Sequence, residues 1–411
     1  MADKITYFTE EMAKDYTILV PPMFPIHEQL LIPMMNEWGY HLKMMKNEGE
    51  AVRRKGLKYC HNDTCYPAQI VIGQMMDVIE SGEYDIHKIA FLITQTGGGC
   101  RASNYISLMR KALANAGCSF IPIISFNFKS DLEQSGFHMP LLMLYRMVYF
   151  VIFGDLLMTL KNQCLPYEIV QGQTQKLMDH WINEIPKRFS RYKNFSYLDI
   201  RRCYKDIIAD FSKIALKDEK KVKVGIVGEI FVKFSPYGNN RLEEFLIKEG
   251  AEPVIGGVTD FCLYCVSNGV TDYKLYGEKR LKAFVMYLGM KILMHKQNAV
   301  RKLITKRSRF RPMSYFGDII KAREQFINMG VKMGEGWLLT AEMLEFCEKG
   351  IKNIICTQPF GCLPNHIVGK GMIKGIKEKY EDANIVAIDY DFSSTLTNQE
   401  NRIRLMLSNA K

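Results

Sequence analysis

The stretch Ile89-Ala90-Phe91-Leu92-Ile93-Thr94-Gln95-Thr96-Gly97-Gly98-Gly99-Cys100-Arg101 sets the fold class. Five apolar residues in succession, bounded by turn residues, read as a strand buried on both faces. A glycine turn follows, then apolar residues at helical spacing from Ala102 to Ala116. Phe120 to Phe126 returns as another apolar strand. Strand, turn, helix, strand is the pattern of a mostly parallel sheet.

Reading outward from there, Thr17 to Pro21 predicts an earlier strand, and Pro25 to Trp38 a helix ended by Gly39. From Met139 to about Phe211 strand signals fade and helical spacing takes over, which predicts a helical connector. The polar run Lys217 to Lys221 marks a boundary. Beyond it Val222 to Val227 reads as a strand, Asn240 to Lys248 as a helix ended by Gly250, and Pro253 to Ile255 as a short strand. Ile351 to Cys356, a helix from Pro364, and the strand Asn384 to Asp389 complete a second unit. The expected organisation is α/β: a first parallel-sheet domain over residues 1–135 with Cys65 and Cys100, a helical connector over 136–220, and a second parallel-sheet domain over 221–411. The second domain holds Cys265, Cys356 and Cys362 and a helical insertion near 278–304.

The 411 residues are 47% apolar and 24% charged, ordinary globular usage that excludes a largely disordered chain. The first fifteen residues carry Asp3, Lys4, Glu10, Glu11, Lys14 and Asp15 and lack a signal peptide's apolar core. Met139 to Leu160 is the most apolar segment, but Arg146 and Asp155 interrupt it, so it reads as a buried helix rather than a membrane span. A cytoplasmic protein with no membrane partner is expected. The net charge is +11, densest over Arg301 to Arg311. No nucleic-acid motif or stacking pattern accompanies that run, so a solvated or protein-docking face is expected there and nucleic acid is not.

Eleven cysteines without a secretion signal point away from structural disulfides and toward metal, catalysis or core packing. A helix start favours negative charge, and so a thiolate. Ligands of open parallel sheets sit beyond the carboxyl ends of the strands. Cys65, Cys100 and Cys362 meet both conditions. Gly97, Gly98 and Gly99 let the backbone approach a cluster or an anion closely. The loop is not a P-loop, since no Gly-x-x-x-x-Gly-Lys-Ser/Thr occurs in the chain. Cys356 ends a strand and Cys362 opens a helix, so both are placed toward one crevice. Cys262 and Cys265 form Cys-x-x-Cys, without the partner pair a structural zinc site asks for; Cys265 is the favoured ligand of the two. Cys60 falls in a polar approach loop, and Cys118, Cys164, Cys203 and Cys347 read as packing residues. Glu229 and Glu335 fall on loops, and His366 one turn after Cys362; Glu229 and His366 are the candidate catalytic residues. Cys65-Tyr-Pro-Ala-Gln-Ile-Val and Cys362-Leu-Pro-Asn-His-Ile-Val look alike, as if each half offers one thiolate from a matching loop.

Four segments carry a family resemblance: Asn62-Asp-Thr-Cys65-Tyr-Pro67, Gln95-Thr-Gly-Gly-Gly-Cys100-Arg-Ala102, Val227-Gly-Glu-Ile230 and Gln358-Pro-Phe-Gly-Cys362-Leu-Pro-Asn-His366. The chain resembles, over nearly its whole length, the 2-hydroxyacyl-CoA dehydratase superfamily. It is closest to the dehydratase-like region fused behind an ATP-hydrolysing activase in many anaerobic bacteria. The resemblance implies two flavodoxin-like (Rossmann-like) domains with helical additions. It implies a 4Fe-4S cluster held by three cysteines, or, as in some relatives, a double-cubane 8Fe-9S cluster. Cys65, Cys100 and Cys362 match the family's cysteine motifs, and Cys265 and Cys356 are further candidates. An activase with its own 4Fe-4S cluster would act in trans, delivering single low-potential electrons. The chemistry implied is radical dehydration of an acyl-CoA or reduction of a small molecule, in a homodimer or heterodimer. The alternative is a non-catalytic electron-transfer or cluster-scaffold protein. No CoA-binding motif is identified.

Overall fold

The computed structural model of the chain describes residues 5–94, 99–126, 136–193, 195–277 and 279–410. The first unit runs α1 (Met12–Asp15), β1 (Thr17–Val20), α2 (Pro25–Asn36), β2 (Leu42–Met44), α3 (Glu50–Tyr59), α4 (Tyr66–Ser81), β3 (Ile89–Thr94), α5 (Tyr105–Asn115) and β4 (Ile123–Phe126). Three helices follow: α6 (Leu141–Cys164), α7 (Gln173–Arg188) and α8 (Tyr197–Ser212). The second unit begins with β5 (Lys223–Gly228), α9 (Ile230–Phe234), α10 (Leu242–Lys248) and β6 (Glu252–Ile255). It continues through α11 (Val258–Tyr276), α12 (Arg280–Arg307), α13 (Phe316–Ala322) and α14 (Trp337–Glu348). It closes with β7 (Asn353–Pro359), α15 (Ile373–Lys379), β8 (Asn384–Tyr390) and α16 (Leu396–Ser408).

Both sheets are parallel throughout, and both have the same order: β2-β1-β3-β4 and β6-β5-β7-β8. These are the first four strands of the flavodoxin-like doubly wound order. The chain is therefore α/β with two parallel-sheet units, as the strand runs predict. The helical insertion is larger than 278–304. Four helices, α11 to α14, separate β6 from β7. The apolar spacing of α12 dominates the sequence signal there and masks its neighbours.

Alternation along the strands builds the core. In the first sheet Ile18, Ala90, Leu92 and Ile124 face the helices α2 and α6 to α8. Leu19, Phe91 and Ile93 face the other way and share one buried cluster with Ile226, Ile355 and Ile388 of the second sheet. The two units are thus joined by apolar core. Helices α3 and α4 cross antiparallel at bare backbone: a methyl on Gly73 would lie 2.3 Å from the Val52 carbonyl, and one on Gly56 2.4 Å from that of Gln69.

Helix α6 is the one described helix long and apolar enough to cross a membrane; Leu141, Leu142, Tyr145 and Val148 at its start are exposed, and the remainder is packed largely inside the protein. The two charges that interrupt it are buried and answered. Arg146 donates to the Phe189 carbonyl at 2.6 Å. Asp155 accepts from the Val258 and Thr259 N–H groups at the start of α11, at 2.7 and 3.0 Å, and meets His27 Nε2 at 2.9 Å. One carboxylate from the helical segment thereby caps a helix of the second unit while holding a histidine of the first.

Candidate functional site

In a doubly wound sheet the loops after the first and third strands part company and leave a crevice. The second sheet places Glu229 after β5 and Cys362 after β7, while Cys100 follows β3 of the first sheet. Cys65 reaches the same place by another route: it is the residue before α4, on the crossover between β2 and β3. The likeness between the Cys65 and Cys362 segments therefore does not mark equivalent positions. The topological partner of Cys362 is Cys100, and that of Cys65 is the Glu335-Gly336 start of α14. Short Cys-x-Pro sequences suit any helix start, whatever strand precedes it.

The two units are tied together at this point. The Tyr66 N–H donates to the Phe360 carbonyl at 3.0 Å. Gly361 takes a positive φ of 72°, and a methyl on it would lie 3.2 Å from the Cys65 Cα. Gly334 is also left-handed, and a methyl there would lie 3.7 Å from Cys100 Sγ and 2.8 Å from the Pro364 ring. A side chain at Gly361 would press on the Cys65 backbone and one at Gly334 on the Pro364 ring, so glycine lets these loops approach each other closely. The Gly334 carbonyl is held by the Tyr264 hydroxyl at 2.8 Å.

Each thiol has its own surroundings. Cys65 Sγ lies 3.3 Å from the Tyr105 hydroxyl. Asn365 Nδ2 donates to Cys362 Sγ at 3.4 Å, and its Oδ1 is 3.9 Å from Cys356 Sγ. Burial pushes the Cys65 thiol up to about 11, helped by the charges of Glu229 and Cys100. Burial also raises Cys100 and Cys362, and both feel Glu335 and Glu229. The fields of the two carboxyl groups thus converge on all three thiols or on two of them.

Those carboxyl groups meet at the start of α9. Glu229 Oε2 accepts the Val232 N–H at 2.9 Å as the helix cap, and Glu335 Oε1 accepts the Ile230 N–H at 3.0 Å. Burial first, and the neighbouring Glu335 charge second, push Glu229 up to about 8. Burial raises Glu335 as well.

The remaining candidates stand at varying remove. Gly99 lies beside Met333, while Gly97 and Gly98 lie outside the described residues. Cys356 is fully buried in β7 behind Asn365; its charged neighbours are Asp389, Glu342 and Lys370, and burial pushes it up to about 12. Cys265 sits on α11 and senses Cys262 and Glu335. The two cysteines of that Cys-x-x-Cys pack into different apolar clusters, as residues three apart on a helix can when neighbours lie on two sides. His366 is exposed, its ring Nδ1 2.7 Å from Gln358 Nε2. Cys60 is buried, against the expectation of a polar loop, because it closes α3 beneath the Cys65 turn.

Tyr105, Asn365, Tyr264 and the glycines 334 and 361 complete the site and carry little sequence signal. Asn365 and Gly361 fall inside the quoted Cys362 segment; Tyr105 reads as an ordinary apolar residue of a helix start. Among the described residues no three His, Cys, Asp or Glu side chains converge as ligands of a single metal ion. The donors at hand are the soft thiols of Cys65, Cys100 and Cys362 on three loops that share the charges of Glu229 and Glu335, a donor chemistry that suits iron–sulfur more than a hard cation. No family model matches the chain, and no curated protein matches it.

Proposed function

We propose that this chain is a cytoplasmic iron–sulfur protein of the 2-hydroxyacyl-CoA dehydratase type. Cys65, Cys100 and Cys362 hold its cluster. It takes low-potential electrons from an ATP-hydrolysing activase in trans and uses them to dehydrate or reduce a small substrate. The observation that supports this reading is the gathering of three loop thiols from both sheet units with the paired carboxyls Glu229 and Glu335.

A cluster held by Cys65, Cys100 and Cys362 would supply single electrons at low potential and Lewis acidity. The chain's own residues do the rest. The Tyr105 hydroxyl and the Asn365 amide direct hydrogen at Cys65 Sγ and Cys362 Sγ, which stabilises thiolate charge and orients both ligands. Gly334 and Gly361 let the loops approach each other closely, and Tyr264 fixes the Gly334 turn. Glu229 holds a proton near neutral pH beside the thiols, where it can be given to a departing hydroxyl or a reduced product. Phe360 and Leu363, both exposed, place apolar side chains on the Cys362 loop.

The test is iron and acid-labile sulfide per chain after strictly anaerobic purification, with an electron paramagnetic resonance spectrum of the reduced protein. About four irons support one cubane and about eight a double cubane. Loss of iron in Cys65→Ala, Cys100→Ala and Cys362→Ala, but not in Cys203→Ala, assigns the ligands. A folded, colourless protein without iron overturns the proposal.

A further inference from the structure

β8 is the outermost strand of the second sheet, and among the described residues no strand pairs with its far side. The Asn384 N–H donates to the Lys352 carbonyl at 2.8 Å, and the Phe360 N–H to the Tyr390 carbonyl at 2.9 Å. In a parallel ladder this alternation turns the backbone of residues 384, 386, 388 and 390 toward β7. The N–H and C=O groups of Ile385 and Ala387 consequently point outward. The outward Asp389 carbonyl is taken by Gln399 Nε2 at 2.7 Å.

A groove of about 620 Å³ follows this edge, with Ile385, Val386 and Ala387 as its floor. Lys370, Lys374 and Lys377 rim it on the α15 side, and Arg402 of α16 rims it on the other. Its one acidic lining residue, Glu378, stands 3.9 Å from Lys374. The strand itself, Asn384-Ile-Val-Ala-Ile-Asp-Tyr390, has no lysine or proline to blunt the open edge; its one charge, Asp389, stands 3.7 Å from Arg402, which leaves the three lysines as the main basic rim. The cations stand on the flanking helices, where they reach the side chains of a guest rather than obstruct its backbone. A fifth strand would occupy this place in the full doubly wound order.

The geometry points to the outer edge of β8 as a docking groove for an extended, carboxylate-bearing segment of a partner protein, taken up as a fifth strand. Backbone pairing with Ile385 and Ala387 would give affinity, and the basic rim would select acidic side chains. Charge argues against a second copy as occupant, since edge-to-edge pairing would set the two basic rims against each other. The groove shares no residue with Cys65, Cys100 and Cys362 or with the groups hydrogen-bonded to their sulfurs; of its rim only Lys370 is a charged neighbour of Cys356.

The probe is a fluorescent peptide of four Val-Glu repeats added to the full chain. Its controls are a Val-Lys peptide and a Val-Glu peptide N-methylated at every residue, which has no N–H to donate to a ladder. The acidic peptide should bind and slow hydrogen exchange at Ile385 and Ala387. Binding should weaken by about tenfold between roughly 50 and roughly 300 mM salt, and by at least as much in Lys370→Glu/Lys374→Glu/Lys377→Glu. These exposed substitutions should leave iron per chain unchanged, which separates this outcome from any failure of the cluster. Equal binding of either control, unchanged binding to the triple variant, or no protection at Ile385 and Ala387 overturns the proposal. So does a concentration-dependent dimer that Ala387→Pro dissolves, because the occupant would then be a second copy.

Discussion

The backbone N–H of Tyr66 and the carbonyl of Phe360 are 3.0 Å apart, and each adjoins a loop that carries a cysteine of the site. The start of α4 in one sheet unit is thus fixed against the loop after β7 in the other. Cys65 immediately precedes Tyr66, and Cys362 follows Phe360 by two, with Gly361 between. This inter-unit hydrogen bond and Gly361 bring the two cysteine-bearing loops into register.

Gly361→Ala should therefore loosen the site. A left-handed backbone costs an alanine about 1–2 kcal/mol, and its methyl would meet the Cys65 Cα at 3.2 Å. Denaturant unfolding of the anaerobic protein should show a loss of about that size, and iron retained after gel filtration should fall. Full iron retention would mean that the Cys65–Cys362 spacing does not depend on this turn.

If the proposed cluster is bound, removing the hydrogen bonds to sulfur should lower its reduction potential while leaving iron content unchanged. Asn365→Ala deletes a donor to Cys362 Sγ, and Tyr105→Phe one to Cys65 Sγ. A hydrogen bond worth roughly 1 kcal/mol corresponds to on the order of 40 mV for a one-electron couple. A redox titration followed by paramagnetic resonance reads the shift. Unmoved potentials at unchanged iron content would mean neither group touches a ligand sulfur.

Two glycine-to-alanine changes should act in opposite directions. At Gly73 the new methyl would lie 2.3 Å from the Val52 carbonyl, so α3 and α4 must part. Overpacking of this kind costs about 1–3 kcal/mol. At Gly289, inside α12, nothing lies within 4 Å. Alanine there should stabilise by about 0.5–1 kcal/mol through helix propensity. Urea midpoints of the two variants decide the matter.

Stability should fall as pH rises from about 4 to about 8. Burial pushes Glu28 up to about 8, and burial together with the Asp155 charge pushes Asp260 up to about 8. Both groups keep their protons in the folded chain at pH values where the unfolded chain has released them. Their contribution is complete below the ordinary carboxylate range and is lost as pH climbs to the folded value. Glu28→Gln should flatten the midpoint-against-pH curve over that interval. A wild-type curve that rises through it would contradict the burial of these acids as neutral groups.

Much of the fold is legible in the strand runs. The continuous apolar residues of β3 and β5 declare burial on both faces, and the parallel sheets follow. β2 is not legible, because Leu42-Lys43-Met44 is too short to show a period. The helices between β6 and β7 are blurred because α14 buries residues all round, while the buried stripe of α11 is partly polar, with Thr259, Asp260, Ser267 and Thr271 in it. The cysteines at loop ends can be picked out by their neighbours, glycine and proline. Their supporting groups cannot: Tyr105 and Tyr264 are brought to the site by tertiary packing, and nothing local distinguishes them from core tyrosines. The resemblance between the Cys65 and Cys362 segments misleads for the same reason, since local sequence records a helix start and not the strand that feeds it.

The order in which the thiols leave the ribosome follows from the way both units share the site. Cys362 lies 262 residues after Cys100, an interval of roughly ten to fifty seconds of synthesis. During that time the first sheet can form while Cys65 and Cys100 have no third partner, and Asp155 has His27 but not yet the start of α11. A nascent chain of this design presents a half-built thiol pair to whatever metal or oxidant is at hand. Under the proposed iron–sulfur role, loading would be confined to the finished polypeptide, and a truncated product would display Cys65 and Cys100 without Cys362.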